Sequence, residues 1–140
     1  MSDIPDGFEP LDPFGKFHEL CGPIYAKKTA EGFSVGMRVA DKHGNRATNI
    51  HGGMLATLVD TAFTYAARHA RNPPQPNVTV SLSIDMMGPA KQGDWVEVRV
   101  EVGRAGRSTT FLSGFVWVGE QRIARASGVF QARALPNTAA

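Results

Sequence analysis

The chain has 140 residues, of which 42% are hydrophobic, and a formal net charge of +2. These values fit one globular domain with its own core, and the basic residues form no dense stripe of the kind that binds nucleic acid. The acidic, proline-broken N-terminus has no secretory pattern and no apolar run is long enough to span a membrane, so we expect a soluble cytoplasmic protein. The single cysteine excludes an intrachain disulfide, and the four histidines lack paired metal-ligand spacing, so no metal site is predicted.

Residues 1–23 precede the first clear strand and are interpreted as an N-terminal arm with one short helical turn. Three prolines in residues 1–13 argue against a regular element there. The helical turn follows, because Phe14, Phe17 and Leu20 recur three positions apart. These large apolar side chains are expected either to cap the end of the core or to form a wall or lid of an apolar pocket.

One long helix is predicted in the middle of the chain, from Gly53 to about His69. No proline interrupts this stretch, and its apolar residues recur three and four positions apart, as on a buried helix face. The members of this face are Leu55, Leu58, Val59, Ala62 and Ala66. Asp60 points away from it on a helical wheel, together with small polar residues. A carboxylate in that position is expected to be either solvated or functional.

The remaining regular segments have the alternating pattern of strands, two before the helix and four after it. They are residues 24–28, 33–39, 78–87, 95–102, 108–118 and 122–133. A parallel sheet would need several crossover helices, and the sequence offers one, so antiparallel pairing is favoured. The predicted fold class is α+β, with an antiparallel sheet of five or six strands wrapped around one long helix. This domain covers residues 24–134, and residues 135–140 are predicted to be a flexible tail.

The start of the long helix is the strongest candidate for chemistry, because the common nucleophile, phosphate-loop, dinucleotide and zinc-protease motifs are absent. A helix N-terminus presents unpaired N–H groups and the positive end of the helix dipole. Gly52 and Gly53 remove side chains there, so a ligand carbonyl can approach closely. His51 is expected to contact the same ligand or to cap the helix, and Asn45 is by default a turn residue.

The position of Asp60 has a consequence for the assembly. It lies eight residues after Gly52, which separates the two by about 12 Å along one helix. One chain therefore cannot place both groups on the same carbonyl. If they act together, the carboxylate comes from a second copy whose helix runs antiparallel beside the first, as in a two-fold dimer.

The sequence resembles the hotdog-fold acyl-CoA thioesterases of the phenylacetic-acid-degradation (PaaI-like) type over roughly residues 24–133. The motifs that carry the resemblance are Asn45, His51-Gly52-Gly53, Leu58-Val59-Asp60, Val78-Thr79-Val80, Met86-Met87-Gly88-Pro89-Ala90 and Gly106-Arg107-Ser108. The resemblance implies the hotdog fold, a homodimer with a continuous sheet and a homotetramer formed as a dimer of dimers. It also implies an acyl-CoA substrate and no cofactor, since coenzyme A is part of the substrate.

The resemblance further implies roles for individual residues. The N–H of Gly52 would polarise the thioester carbonyl, and Asp60 of the partner chain would act as general base or nucleophile. His51 and Asn45 would hold the thioester or the lytic water, and Thr79 would assist the carboxylate. Contacts to the rest of the substrate, including the coenzyme A phosphates, are implied for Gly53, Lys91, Arg104, Gly106, Arg107 and Ser108.

Two other functions stay open at this point. One is a hydratase or dehydratase on the same fold, although the motifs typical of those enzymes are absent. The other is a non-catalytic acyl-CoA-binding module, which would not need Asp60. The sequence does not specify the acyl group, because the apolar residues that could line an aryl pocket or an acyl channel are by default core residues; these are Phe63, Tyr65, Met86, Met87, Phe14 and Phe17.

Overall fold

A computed structural model of the chain describes residues 4–134, so the predicted tail at residues 135–140 lies outside the described residues. The centre of the fold is a helix at Gly52–His69, which confirms the predicted long helix. It is called α2 below. The members of its predicted apolar face are all buried, namely Leu55, Leu58, Val59, Ala62 and Ala66. Within the described part of the chain, no helix is both long enough and apolar enough to cross a membrane.

Seven strands form one antiparallel sheet that wraps around α2. They are β1 (Glu9–Pro10), β2 (Tyr25–Lys28), β3 (Gly32–Arg38), β4 (Asn77–Met86), β5 (Trp95–Ala105), β6 (Thr109–Val118) and β7 (Gln121–Ala132). Their order across the sheet is β1-β2-β3-β5-β6-β7-β4, so β4 lies at one edge. This arrangement confirms the α+β class and the hotdog fold.

The strand count and the N-terminal arm differ from the prediction. The expectation that residues 1–13 hold no regular element is wrong, because Glu9–Pro10 pairs with β2 and adds a seventh strand to the predicted five or six. Proline is tolerated there because an edge strand forms ladder hydrogen bonds on one side only. Phe8 also packs on Trp95 edge to face, with ring centroids 5.1 Å apart, so the arm is attached to the sheet.

The short helix in the arm, α1, covers Lys16–Cys21 and therefore starts two residues later than the predicted turn. Phe14, Phe17 and Leu20 are 51%, 65% and 73% exposed, respectively. The expectation that these three side chains cap the core is therefore wrong. The surface of Phe14 and Phe17 is left open to the space beside α2.

The alternation within β5 shows how the sheet covers the helix. Val96, Val98 and Val100 are buried against the core, while Arg99 between them is exposed on the outer face. The strand runs three residues past its predicted end at residue 102, because a register shift between Val102 and Arg104 interrupts the alternation without ending the pairing with β6.

The contact between α2 and β7 is close. Phe63 of α2 is fully buried and meets Phe130 of β7 edge to face, with ring centroids 6.3 Å apart. A Cβ atom at Gly128 would lie 2.8 Å from the Phe63 ring, so this glycine is what allows β7 to approach the helix. Phe63 is therefore a core residue and does not line a pocket.

Phe63→Ala is expected to lower the free energy of unfolding by about 3–5 kcal/mol, because the cavity it leaves is lined by the helix and the sheet together. Chemical denaturation measures the difference. Phe111→Ala is the matched control, since that ring is 47% exposed and its loss should cost roughly 1 kcal/mol or less. Equal losses for the two variants would contradict this assignment of the core.

Candidate active site

The polar loop before α2 is organised by Asn45. The Oδ1 atom of Asn45 accepts hydrogen bonds from the N–H groups of Ala47 (2.8 Å) and Asn49 (3.2 Å), and Thr48 adopts a φ of 63°. The side-chain oxygen of Asn45 thus stabilises the turn, as expected for a turn residue. Its Nδ2 group makes no hydrogen bond within residues 4–134 and remains a donor for a ligand.

His51 caps the N-terminus of α2. Its Nδ1 atom accepts the N–H of Gly53 at 2.8 Å, and its backbone carbonyl accepts the N–H groups of Met54 (2.9 Å) and Leu55 (3.0 Å). A neutral ring that accepts at Nδ1 carries its hydrogen on Nε2. The capping and ligand-binding expectations for His51 are therefore compatible, because they use different ring nitrogens.

The two glycines at the start of the helix differ in whether their backbone N–H group has an acceptor. The N–H of Gly53 is occupied by His51, whereas the N–H of Gly52 has no acceptor within the described part of the chain. A Cβ atom at Gly53 would lie 3.0 Å from the His51 ring, so this position needs glycine for the cap. A Cβ atom at Gly52 would meet the sulfur of half-exposed Met86 at 3.4 Å, which places Met86 beside the free N–H.

Asp60 lies halfway along α2 on its half-buried side. The hydroxyl of Thr79, on edge strand β4, donates to Asp60 Oδ1 at 2.6 Å. Within residues 4–134 no hydrogen bond is made by Oδ2, so that oxygen remains available to a water or a substrate. The structure therefore brings the carboxylate and the predicted hydroxyl partner together.

The predicted catalytic residues fall into two groups in one chain. Asn45, His51 and Gly52 lie at the N-terminus of α2, and no hydrogen bond within the described residues joins them to Asp60 or Thr79. The straight helix between the groups maintains their separation of about 12 Å.

A groove along α2 runs past His51, Asp60 and Thr79. A cavity of about 580 Å³ opens over Asp60 and Thr79, and a second cavity of about 420 Å³ lies over His51. Phe17 and Thr57 line both cavities, so the two are neighbours along the helix. A larger cavity, of about 790 Å³, lies on the outer face of the sheet and contains none of the predicted site residues. We assign the chemistry to the groove because it holds the carboxylate, its hydroxyl partner and the capping histidine.

The groove includes His18, which the sequence analysis did not single out. His18 is only 8% exposed, and its Nδ1 atom accepts the N–H of Phe14 at 2.9 Å. Burial lowers the pKa of His18 below its usual value, so the ring is neutral near pH 7 and carries its hydrogen on Nε2. No motif surrounds it, and only its position next to Phe17 in the short helix could have drawn attention to it.

A second buried histidine, His43, is hydrogen-bonded to the segments before and after the loop. His43 accepts the N–H of Ala40 at Nδ1 (2.9 Å), and its Nε2 lies 2.6 Å from the carbonyl oxygen of Cys21. Burial is the main cause that lowers the pKa of His43, and the bond to Cys21 acts in the opposite direction. The backbone carbonyl of His43 accepts the N–H of His51 at 2.8 Å, which ties this support to the helix cap.

The predicted coenzyme A contacts lie at opposite ends of α2. Lys91 is exposed and forms an isolated bridge with Asn49, next to the loop that precedes the helix. The turn at residues 106–108 lies at the other end, where Arg71 donates to the carbonyl of Gly106 at 2.9 Å. The remaining members of this predicted set are exposed around that turn, namely Arg104, Arg107 and Ser108. Within residues 4–134, no three His, Cys, Asp or Glu side chains are grouped as metal ligands.

Comparison with known proteins identifies the family. Residues 47–124, more than half of the chain, match the profile of the thioesterase superfamily. A Pseudomonas aeruginosa protein assigned as an esterase, PA0474, is 40% identical over 131 residues, which are 93% of this chain and 98% of that protein. Human acyl-coenzyme A thioesterase 13 is 33% identical over 98 residues, or 69% of each protein.

A solved structure of a related protein has the same fold. The Escherichia coli PaaI protein from the phenylacetic acid degradation operon superposes with a TM-score of 0.67 at 25% identity, over 73% of this chain and 72% of that one. The chain therefore belongs to the thioesterase superfamily and is a thioester hydrolase with the hotdog fold of the PaaI-like type.

Proposed function

We propose that this thioester hydrolase acts on an acyl-CoA, releasing a free carboxylic acid and coenzyme A. The main support for the proposal is the hydrogen bond from Thr79 to Asp60, which holds a carboxylate in an open cavity beside α2. The coenzyme A part of the substrate is supported by the name of the human relative, an acyl-coenzyme A thioesterase.

The chemistry needs few groups because a thioester is already activated. The carbonyl oxygen accepts the N–H of Gly52, and the positive end of the α2 dipole stabilises the negative charge that develops on this oxygen. His51 Nε2 and Asn45 Nδ2 are the remaining donors near that position. They hold the carbonyl or the attacking water.

Asp60 activates the attacking group. As a general base it accepts a proton from water while the water oxygen bonds to the carbonyl carbon. As a nucleophile it attacks the carbon itself, and water then hydrolyses the resulting anhydride. In both routes the carbon–sulfur bond breaks and the coenzyme A thiolate leaves and takes up a proton. Thr79 holds Oδ1, so that Oδ2 is directed to the reaction.

The two halves of the site come from different chains in this proposal, because α2 separates Gly52 from Asp60. Edge strand β4 supports such a dimer. It pairs with β7 on one side only, and its Val78, Val80 and Met86 are 40%, 61% and 50% exposed. A second copy paired along this edge would continue the sheet and place the two helices antiparallel. Two such dimers would form the homotetramer.

The phosphates of coenzyme A are separated from the thioester by the extended pantetheine arm. The turn at residues 106–108 lies near the C-terminal end of α2, about 14 Å beyond Asp60 along the helix. Arg104 and Arg107 at this turn are exposed cations and are proposed to bind the phosphates. Lys91, beside the loop of the other half-site, is proposed as a further contact.

Asp60→Asn and Asp60→Ala should each lower kcat by about 100-fold or more, because both remove the only carboxylate that residues 4–134 place in this groove. Steady-state hydrolysis of aromatic, short-chain and long-chain acyl-CoAs, followed through release of the free thiol, measures the loss. Size-exclusion chromatography should show the same oligomer for the variants and for the wild type. Near-wild-type hydrolysis by these variants would contradict the assignment, and coenzyme A binding by an inactive wild type would favour a non-catalytic binding module.

Thr79→Val should lower kcat by roughly 10- to 100-fold, because it removes a hydrogen bond to a charged group without changing the side-chain volume. Thr79→Ser keeps the hydroxyl and is the matched control, with turnover close to that of the wild type. The comparison uses one acyl-CoA at saturating concentration. Equal activity in the Val and Ser variants would show that the 2.6 Å bond has no part in turnover.

Shared sites can be tested by mixing subunits. A dimer of one Asp60→Ala chain and one His51→Ala chain has one site with both groups intact and one with neither. If each variant alone is inactive, random reassociation of the two should therefore restore about a quarter of wild-type activity. Sites built within single chains would give no recovery, which would rule out the two-chain arrangement.

A further inference from the structure

We propose that α1 and the residues just before it form the wall of the acyl pocket, and that Phe14 and Phe17 determine which acyl groups are accepted. The inference rests on the proposed function and names the residues that select its substrate. It concerns a part of the chain that precedes residues 47–124, the segment matched by the family profile, so membership of the family assigns this wall no role.

The groove has an aromatic wall. Phe14, Phe17 and His18 form one wall of the cavity over Asp60, and residues of α2 and β4 form the others. Phe17 also lines the neighbouring cavity over His51. A thioester whose carbonyl carbon lies beside Asp60 in this cavity therefore has the two rings next to its acyl group.

The exposed surface of that wall is apolar. The rings of Phe14 and Phe17 are more than half exposed, so an apolar ligand in the cavity would remove their surface from water. Polar residues also line the cavity, including the pair Asp60 and Thr79 and the threonines of α2, so its apolar surface comes from the two rings together with Ala56, Val78 and Leu82. Apolar walls combined with placed polar groups are typical of a small-molecule site. The wall therefore fits an apolar acyl group.

The wall is fixed at both ends. Before α1, strand β1 pairs with β2, and the N–H of Leu11 donates to the carbonyl of Ile24 at 2.8 Å. After α1, the carbonyl of Cys21 is bound by His43, which also holds the N–H of His51. The wall and the helix cap are thus attached to the same support, so the width of the groove between them is set by the fold.

Leu20 provides a matched control on the same helix. It is 73% exposed, more than either phenylalanine, but it lines neither cavity of the groove. If α1 only needed apolar surface to pack on another copy of the chain, Leu20 would be as important as Phe17. If the wall selects the acyl group, only the phenylalanines affect substrate preference.

The experiment measures kcat/KM for acetyl-CoA, hexanoyl-CoA, benzoyl-CoA and dodecanoyl-CoA with the full-length wild type and four variants. Phe17→Ala and Phe14→Ala should lower the ratio of kcat/KM between the best larger acyl-CoA and acetyl-CoA by about 10-fold or more. Leu20→Ala should keep the wild-type ratio. Phe17→Trp narrows the groove and should lower kcat/KM for dodecanoyl-CoA more than for acetyl-CoA.

The outcomes separate this inference from the proposed function. A wild type that hydrolyses none of the four substrates would overturn both. A wild type that is active, with unchanged ratios in Phe17→Ala and Phe14→Ala, would leave the proposed function standing and overturn the wall. A uniform loss over all substrates, or a change of oligomeric state in place of a changed ratio, would show that α1 is only structural and would also overturn it.

Discussion

The hydrogen bonds of the His51 cap are the interaction on which the rest of the site depends. A helix N-terminus leaves its first N–H groups without partners, and most of them need an acceptor. His51 alone satisfies three of them, through its ring at Gly53 and through its carbonyl at Met54 and Leu55. What remains is the N–H of Gly52. The cap therefore fixes the position of the imidazole and also selects which backbone donor is left for a substrate.

The length of α2 explains why the proposed site needs two chains. A helix cannot bring its residue 60 to its own N-terminus, and the buried face of α2 is surrounded by the sheet. Asp60 in turn is bonded to Thr79, which lies on the unpaired edge of the sheet. The carboxylate is thus presented at the edge to which a second copy would add its strand. The partner that the proposed mechanism requires would therefore bind at the strand edge that is open for pairing.

Much of the fold and of the candidate site could be predicted from the sequence, because the patterns that indicate them are local. The period of the apolar residues in α2 identified the core face and the orientation of Asp60, and the alternation along β5 gave the two faces of the sheet. The features that were not predicted depend on contacts between residues far apart in sequence. No local sequence pattern predicts the pairing of Glu9–Pro10 with β2. The bulge after Val102 interrupts the alternating pattern, so the last residues of β5 were not predicted as strand. Asp60 and Thr79 are 19 residues apart, and only the family resemblance connected them.

The exposed phenylalanines of α1 follow from the same geometry. The sheet covers the apolar side of α2, so the opposite stripe of Thr57, Asp60 and Thr64 stays half-buried and outside the core. A polar stripe that carries the chemistry must stay accessible to a substrate, yet an acyl chain also needs apolar surface in order to leave water. The core cannot supply that surface because its side chains are already packed. It therefore has to come from an element outside the core and next to the stripe, and α1 is placed there with its rings uncovered.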